Sequence, residues 1–532
     1  MGRADLRLTE HPILKFERGK PITFYYNGKK MIAYEGEPIA MALYANGVKI
    51  LTRSLKYHRP RGMFCAIGKC SSCIMTVDGI PNVRTCIIPV REGMDVRSQN
   101  AWPSVEHDIY SILDHFDLSS DAYTRKFLRP RFLYNFYQKI IRKFTGHGKY
   151  PLGKAKRKEI PEKGPETIEA DIVIIGGGPA GLSAALSAAK AGFSILIIDE
   201  GIRLGGQLVK QTHKFFGSAK HHAGVRGFII AEQLTEELKK YDNIKVYLQS
   251  SVVGIFEGNI LSVVREQREY FKVKAKKIIV ATGAYERMLV FENNDLPGIM
   301  GAGGVQTVMN VYGIKPGNEA VIVGAGNVGL ILAYQLLQVG VKVKAIVEAM
   351  PHIGGYFVHA AKIRRYGVPI LTRHTVKKAI GKKHLEKVVI VKLNDKWQPI
   401  PGTEKEIKCD LLCINIGLKP SYELLKMAGC EMRYVKELGG FVALRNKYLE
   451  TTVSGIYVAG DVSGIEEAST AIMEGRIAGI SAALSLGVTD KKIEEELIKE
   501  REETMKDLAE FRSGPTSAKV VAGLKKVMIG EA

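Results

Sequence analysis

Two glycine-rich turns, 148 residues apart at Gly176 and Gly324, restrict this chain more than any other feature. The first reads Asp171-Ile172-Val173-Ile174-Ile175-Gly176-Gly177-Gly178-Pro179-Ala180-Gly181 and runs into a predicted helix, Leu182–Ala191. An apolar strand, a Gly-x-Gly-x-x-Gly turn and a helix open a dinucleotide-binding βαβ unit. Gly176 makes the turn, Gly178 lets the backbone meet a pyrophosphate, and Gly181 lets the helix pack on the strand. Pro179 and Ala180 start the helix, whose N-terminus then faces the phosphates. Ser194–Asp199 reads as the second strand, and Asp199 ends it where a carboxylate can bind ribose hydroxyls. The second turn, Ala320-Val321-Ile322-Val323-Gly324-Ala325-Gly326-Asn327-Val328-Gly329, repeats the design, with Val343–Val347 as second strand and Glu348 as acid. An acid there favours an unphosphorylated ribose, so NAD rather than NADP. ATP or ADP would satisfy Gly324, Gly326 and Gly329 equally well.

These turns also account for two uncharged stretches, 172–189 and 321–341, that reach the length at which a membrane span is suspected. Read as strand, turn and helix, neither is a transmembrane segment. From 169 to about 487 apolar strands alternate with helices, an α/β pattern. Residues 1–100 are instead β-rich. Ile22–Tyr26 and Lys29–Tyr34 flank Asn27-Gly28, a strong hairpin signal, and a short helix is predicted over Pro38–Ala45.

Four of the seven cysteines lie in that small N-terminal domain, as Cys65, Cys70, Cys73 and Cys86. The spacing is C-x4-C-x2-C-x12-C, with Gly68 in mid-loop. Two thiolates per iron suit a [2Fe–2S] cluster, whereas zinc sites favour paired C-x2-C knuckles. The loop resembles those of plant-type and hydroxylase-type ferredoxins, including the Cys70-Ser71-Ser72-Cys73 run. The remaining cysteines do not form a reactive pair. Cys409 and Cys413, four apart on a predicted strand, would lie roughly 13 Å from each other, too far for a disulfide. They and Cys430 read as core, and His58 and His221-His222 as ordinary surface or core residues.

Two further segments resemble flavoproteins that carry two dinucleotide folds. Ala281-Thr282-Gly283 matches their strand-end motif, and Gly455–Asp461 their late motif, in which Asp461 would hold a ribityl hydroxyl of FAD. Leu204-Gly205-Gly206-Gln207 is similar to the thioredoxin-reductase branch. The first turn and Thr282-Gly283 precede the second turn, and Gly460-Asp461 follow it. The second fold is therefore inserted into the first, as in the glutathione- and thioredoxin-reductase class.

The sum resembles the α subunits of heteromeric sarcosine oxidase, dye-linked L-proline dehydrogenase, opine oxidase and hydrogen cyanide synthase, over roughly residues 10–487. Phe291–Gly298 and the segment from Pro130 to Gly148, with Tyr137 and Ile141-Arg142, belong to the match. The resemblance implies an FAD- and [2Fe–2S]-containing oxidoreductase subunit that passes electrons between a flavin amine or amino-acid dehydrogenase partner and an acceptor. It implies a β subunit with a second flavin and the amine-oxidising site, and leaves room for small electron-transfer subunits. No catalytic residue of its own is expected here. A self-sufficient NADH:acceptor oxidoreductase is the alternative. Many relatives carry a Cys-rich domain after the FAD fold or a folate-binding half, whereas this sequence has no Cys beyond 430 and its cluster loop is N-terminal, so folate chemistry is not expected.

The expected division is a [2Fe–2S] domain at 1–100, a connector at 101–168, FAD-binding parts at 169–316 and 418–487, an inserted NAD-like domain at 317–417 and a helical tail at 488–532. The formal charge of +22 would suggest nucleic acid. However, residues 122–158 hold twelve Lys or Arg and no acid, interleaved with Phe and Tyr. That reads as an assembly surface on a redox protein, not a nucleic-acid site. With no apolar segment in the first twenty residues, the expected compartment is the cytoplasm, with peripheral association at an anionic membrane left open.

Overall fold

The computed structural model describes residues 5–115, 132, 136, 165–214, 220, 222–266 and 269–530. The basic aromatic stretch of the connector, 122–158, therefore lies outside the described residues, apart from positions 132 and 136. The chain forms two compact units. One takes the described residues of Met1–Ile160 with Met288–Ile416, the other those of Pro161–Arg287 with Gly417–Ala532.

In the second unit a seven-stranded sheet runs Ile244–Tyr247, Ile195–Ile198, Thr167–Ile175, Glu269–Val280, Ile260–Arg265 and Ser250–Phe256, with Ile456–Val458 paired to the end of Glu269–Val280. The first four are parallel, as is Ile456–Val458, while the hairpin at the far edge is antiparallel. Ile172, Ile174, Ile195 and Ile197 face helices Pro179–Ala189 and Ala468–Leu484, whereas Val173, Ile175, Leu196 and Ile198 face the other side. That alternation within continuous apolar runs is what a sheet covered on both faces demands. The two helices meet along small residues. A β-carbon on Gly475 would stand 2.1 Å from the Ala180 carbonyl oxygen, and one on Gly479 2.2 Å from that of Ala184.

The helix after the first Gly turn begins at Pro179 with Gly178 as its N-cap, three residues earlier than the hydrophobic run suggests. Proline at the first helical position lacks only an N–H that would have no intrahelical partner. The tail is also more ordered than its composition implies. Helix Lys491–Arg512 is capped by Asp490, whose side chain accepts from the N–H of Lys492 and Ile493. Beyond Gly514-Pro515, Leu524 and Val527 close a small core with Val435, Leu438 and Val442.

The first unit joins two of the expected domains. Its five-stranded sheet runs Lys29–Tyr34, Pro21–Tyr26, Asp95–Arg97, Ile74–Val77 and Ile80–Arg84. The hairpin turns at Asn27-Gly28, both with positive φ, so that Tyr26 faces Lys29. A second, all-parallel sheet runs Ile299–Gly301, Leu411–Ile414, Glu319–Val323, Lys342–Glu348 and Ile370–Thr372. One continuous core serves both sheets. It contains Phe24, Ile39, Met41, Leu43 and Met75 from the N-terminal domain, and Met300, Val305, Met309, Ile322 and Leu336 from the nucleotide fold. Helix Ile39–Ala45 is buried at every residue, as an all-apolar helix has to be. Polar contacts seal the junction: the Tyr44 hydroxyl donates to the Pro316 carbonyl at 2.5 Å, and Leu8 N–H and Lys315 N–H bond to Gly313 and Leu6 carbonyls. Segment 288–316 thus clusters with the inserted fold.

Gly304 is the tightest point of this junction, since its β-carbon would lie 2.1 Å from the Phe64 carbonyl oxygen. Gly304→Ala should destabilise this unit by about 3 kcal/mol, the scale of severe overpacking. Gly514→Ala, with no atom nearer than 4.0 Å, should be neutral. Denaturant midpoints of the two variants would check the contrast.

Candidate functional site

The ends of the parallel strands in the second unit gather one set of residues. Gly176 leaves Thr167–Ile175 with φ 109°, and a β-carbon on Gly181 would lie 1.8 Å from the Gly176 carbonyl oxygen. The helix N-terminus is thereby drawn against the strand end. Over Gly178 a β-carbon would have only the Gly206 α-carbon within 4 Å, at 3.8 Å, which leaves room for close approach to the turn. The Asp199 carboxylate accepts from Gly177 N–H and Gly201 N–H, both at 2.6 Å, which braces the turn against the second strand. Gly206 opens a short turn against Gly178, and Gln207 beside it is exposed. Thr282 donates its hydroxyl to the Ser421 carbonyl at 2.8 Å, and Ser421 N–H returns to the Gly283 carbonyl at 2.9 Å. Gly460 packs on Ala180 and carries Asp461 at the end of Ile456–Val458.

Asp461 is the most perturbed carboxyl of this set. Burial pushes it up to about 7, the nearby Glu466 and Glu474 charges push the same way, and the Glu466 N–H at 3.5 Å pulls it back. A cradle of N–H groups, open space above Gly178 and a desolvated carboxyl fit the phosphates and hydroxyls of a dinucleotide.

The first unit repeats the design at Gly324. Its φ is 104°, and a β-carbon on Gly329 would lie 2.2 Å from the Gly324 carbonyl oxygen. Glu348 accepts from Ala325 N–H at 2.7 Å and Met350 N–H at 2.8 Å, as Asp199 does at Gly177 and Gly201. The likeness extends further. Gly205 N–H bonds to the Gly177 carbonyl, and Gly354 N–H bonds to the Ala325 carbonyl, each from six residues past the acid. Gly326 faces open space apart from the Asn415 amide at 3.6 Å.

The same unit holds the four cysteines. Ala66, Gly68 and Ser71 all take positive φ, so the loop curls tightly; such strain collects at ligand clamps. Gly68 N–H donates to Cys86 Sγ at 3.2 Å, and Lys69 and Cys70 N–H donate to Cys65 Sγ at 3.4 Å. The thiols pair in a chain: Cys65 with Cys70 and Cys86, and Cys86 with Cys73. Accepting thiols Cys65 and Cys73 are pushed down by these bonds, and Cys70 and Cys86 are pushed up. No three His, Cys, Asp or Glu among the described residues gather about a single ion position. Paired sulfurs with N–H donors aimed at them match the donor set a two-iron cluster takes. Cys65, Cys73 and Cys86 are buried, and Cys70 is partly accessible.

With this geometry in view, comparison with known proteins decides the family. Residues 170–475 match the family model described as pyridine nucleotide-disulphide oxidoreductase. The chain belongs to that family. Residues 19–101 match a 2Fe-2S iron-sulfur cluster binding domain. The chain is thus a flavin-type oxidoreductase with an iron–sulfur domain. It is 30% identical over 494 residues to sarcosine oxidase subunit alpha of Rhizobium meliloti, covering 89% of this chain and 47% of that one. It is 28% identical to hydrogen cyanide synthase subunit HcnB of Pseudomonas aeruginosa, covering 59% and 70%. It resembles the crystal structure of L-proline dehydrogenase from P. horikoshii at 25% identity and TM-score 0.62, covering 92% and 79%. The chain spans about half the length of the sarcosine oxidase subunits it matches.

Within this family a disulfide substrate needs a reactive cysteine pair at the flavin. Cys430 is the only cysteine of the second unit, and Cys409 and Cys413 are buried in the first. Burial pushes the Cys409 thiol up to about 12, as expected of an inert core cysteine. His58 is likewise structural, buried with Nδ1 2.7 Å from Asp108. Among the described residues no helix is long and apolar enough to cross a membrane.

The residues that support Asp461 belong to no sequence motif. Glu474 accepts from Gly460 N–H at 2.9 Å and Ser463 hydroxyl at 2.6 Å, while Arg445 and Arg512 face it. The available signal was one Glu in the small, apolar run of helix Ala468–Leu484. Because the folded Asp461 carboxyl is raised, its contribution to stability is present below about pH 4 and lost as pH rises through about 7. Asp461→Asn should therefore be more stable than the parent at pH 8 and indistinguishable near pH 4. Urea midpoints at the two pH values would show it.

Proposed function

We propose that this chain is the electron-handling subunit of a heteromeric flavin-dependent amine or amino-acid dehydrogenase. The carrying observation is a flavin fold and a cluster-binding loop in one chain, with no reactive cysteine pair in the flavin-bearing unit. The names of its relatives point to secondary amines or amino acids such as sarcosine and proline. A separate subunit with a second flavin would then perform the oxidation. None of the seven cysteines is in a disulfide, which suits the reducing cytoplasm.

In this reading the N–H groups of Gly178, Ala180 and Gly181, at the start of the helix that Pro179 opens, take the FAD pyrophosphate. Asp199 uses the second lone pair of each oxygen for ribose hydroxyls, and Asp461 accepts from the ribityl chain. Gly206, Gln207, Thr282 and Gly283 complete the surround. Cys65, Cys70, Cys73 and Cys86 hold the [2Fe–2S] cluster, with Cys70 at the accessible edge. Bound flavin supplies the exchange between electron pairs and single electrons, and the cluster carries one at a time. Gly324, Gly326 and Gly329 with Glu348 hold NAD, ATP or ADP. Glu348 and the lack of Lys or Arg in 349–361 favour an unmodified ribose.

Purifying the native complex tests the assignment. A co-eluting second flavoprotein, and proline or sarcosine oxidation by the complex but not by this chain alone, is the expected result. Efficient amine oxidation by the isolated chain would refute it. Cys70→Ser in the complex should leave substrate-driven flavin bleaching intact and abolish delivery to a one-electron acceptor. The intact second Gly turn favours one other reading, an NADH:acceptor oxidoreductase. Anaerobic NADH should then bleach the flavin of the isolated chain.

A further inference from the structure

The C-terminal helix Lys491–Arg512 lies beyond the segment that matches the family, yet its last residue reaches the turn that carries Asp461. Arg512 Nε donates to Glu466 at 3.1 Å, and its Nη2 donates to both Glu466 and Glu474, the latter at 2.7 Å. Glu474 in turn holds Gly460 N–H and the Ser463 hydroxyl, and Glu466 offers its own N–H to Asp461. Arg445, 1% exposed, donates to the Ser463 carbonyl at 2.8 Å and lies 3.8 Å from Glu474. Both glutamates are almost wholly enclosed, with side-chain exposures of 8% and 3%.

We propose that Arg512 is a positioning residue of the flavin site, which clamps Glu466 and Glu474 and so sets the shape and charge balance of the Gly460–Asp461 turn. The inference rests on FAD occupying that site. Three carboxyls and two guanidinium groups share this pocket. Glu466 and Glu474 are the charged groups that face Asp461, the first from its own loop and the second from helix Ala468–Leu484. The other packed helix, Pro179–Ala189, carries no charged side chain. Buried charges without partners are relieved by protonation. Without Arg512, one guanidinium would face two glutamates, and Asp461 would keep its proton to a higher pH. A protonated carboxyl is a poorer acceptor for a ribityl hydroxyl.

The test is FAD titration of the full-length apoprotein, followed by flavin fluorescence across pH 5.5–8.5, for the parent, Arg512→Met, Arg512→Lys and Glu466→Gln. In the parent, affinity should rise with pH through about 7. Arg512→Met should move that midpoint up by about one unit, with about fivefold weaker binding at pH 7. Arg512→Lys should keep the parent midpoint, and Glu466→Gln should lower it. An unmoved midpoint in Arg512→Met, whatever its melting temperature, would reduce Arg512 to a structural residue. If Arg512→Met does not fold, an unmoved midpoint in Glu466→Gln overturns the proposal. A parent chain that binds no FAD at any pH would instead remove the flavin reading beneath it.

Discussion

Both nucleotide folds depend on one steric constraint. The helix after each Gly turn comes so close to the carbonyl of the turn's first glycine that a β-carbon would sit 1.8 Å away at Gly181 and 2.2 Å away at Gly329. That approach brings the helix N-terminus over the strand ends, and its free N–H groups with it. The acid of the second strand then bonds back to the turn, Asp199 to Gly177 and Glu348 to Ala325. The second site is therefore built on the same plan as the first, down to the Gly-Gly pair six and seven residues past each acid.

The units assign different tasks to similar parts. In one, the nucleotide fold shares its core with the cysteine loop. Phe64, one residue before the first cysteine, bonds through its carbonyl to Gly301 N–H and leaves no room for a side chain at Gly304. In the other, the fold ends in a turn whose carboxyl is kept desolvated by its surroundings. The ion network there is buried and costly, and it is tolerable because each oxygen of Glu474 meets a hydrogen-bond donor.

Local features were legible because local chemistry specifies them. Asn27-Gly28 requires positive φ at both positions, so the hairpin register followed. The glycine spacings and their following acids marked both nucleotide turns, and the C-x4-C-x2-C-x12-C spacing marked the cysteine loop. Glu474 and Arg512 were not legible, because they lie 38 residues apart on different helices. Nothing in either local sequence announces that one helix closes over the other. The second Gly-Gly loop, 354–355, was readable in principle by aligning the two halves on their acids.

The amino-acid sequence by itself determined the elements, the order of the two nucleotide folds and the donor sets, since these rest on backbone angles, periodicity and spacing within about 25 residues. Tertiary structure decided which elements share a core. It merged the N-terminal domain with the inserted fold, because helix Ile39–Ala45 is apolar on every face and needs cover on all of them. It also brought the last residue of a C-terminal helix to Glu466 and Glu474. Long-range packing of that kind is governed by shape and by the cost of burying charge, and neither has a signature in any single stretch of the chain.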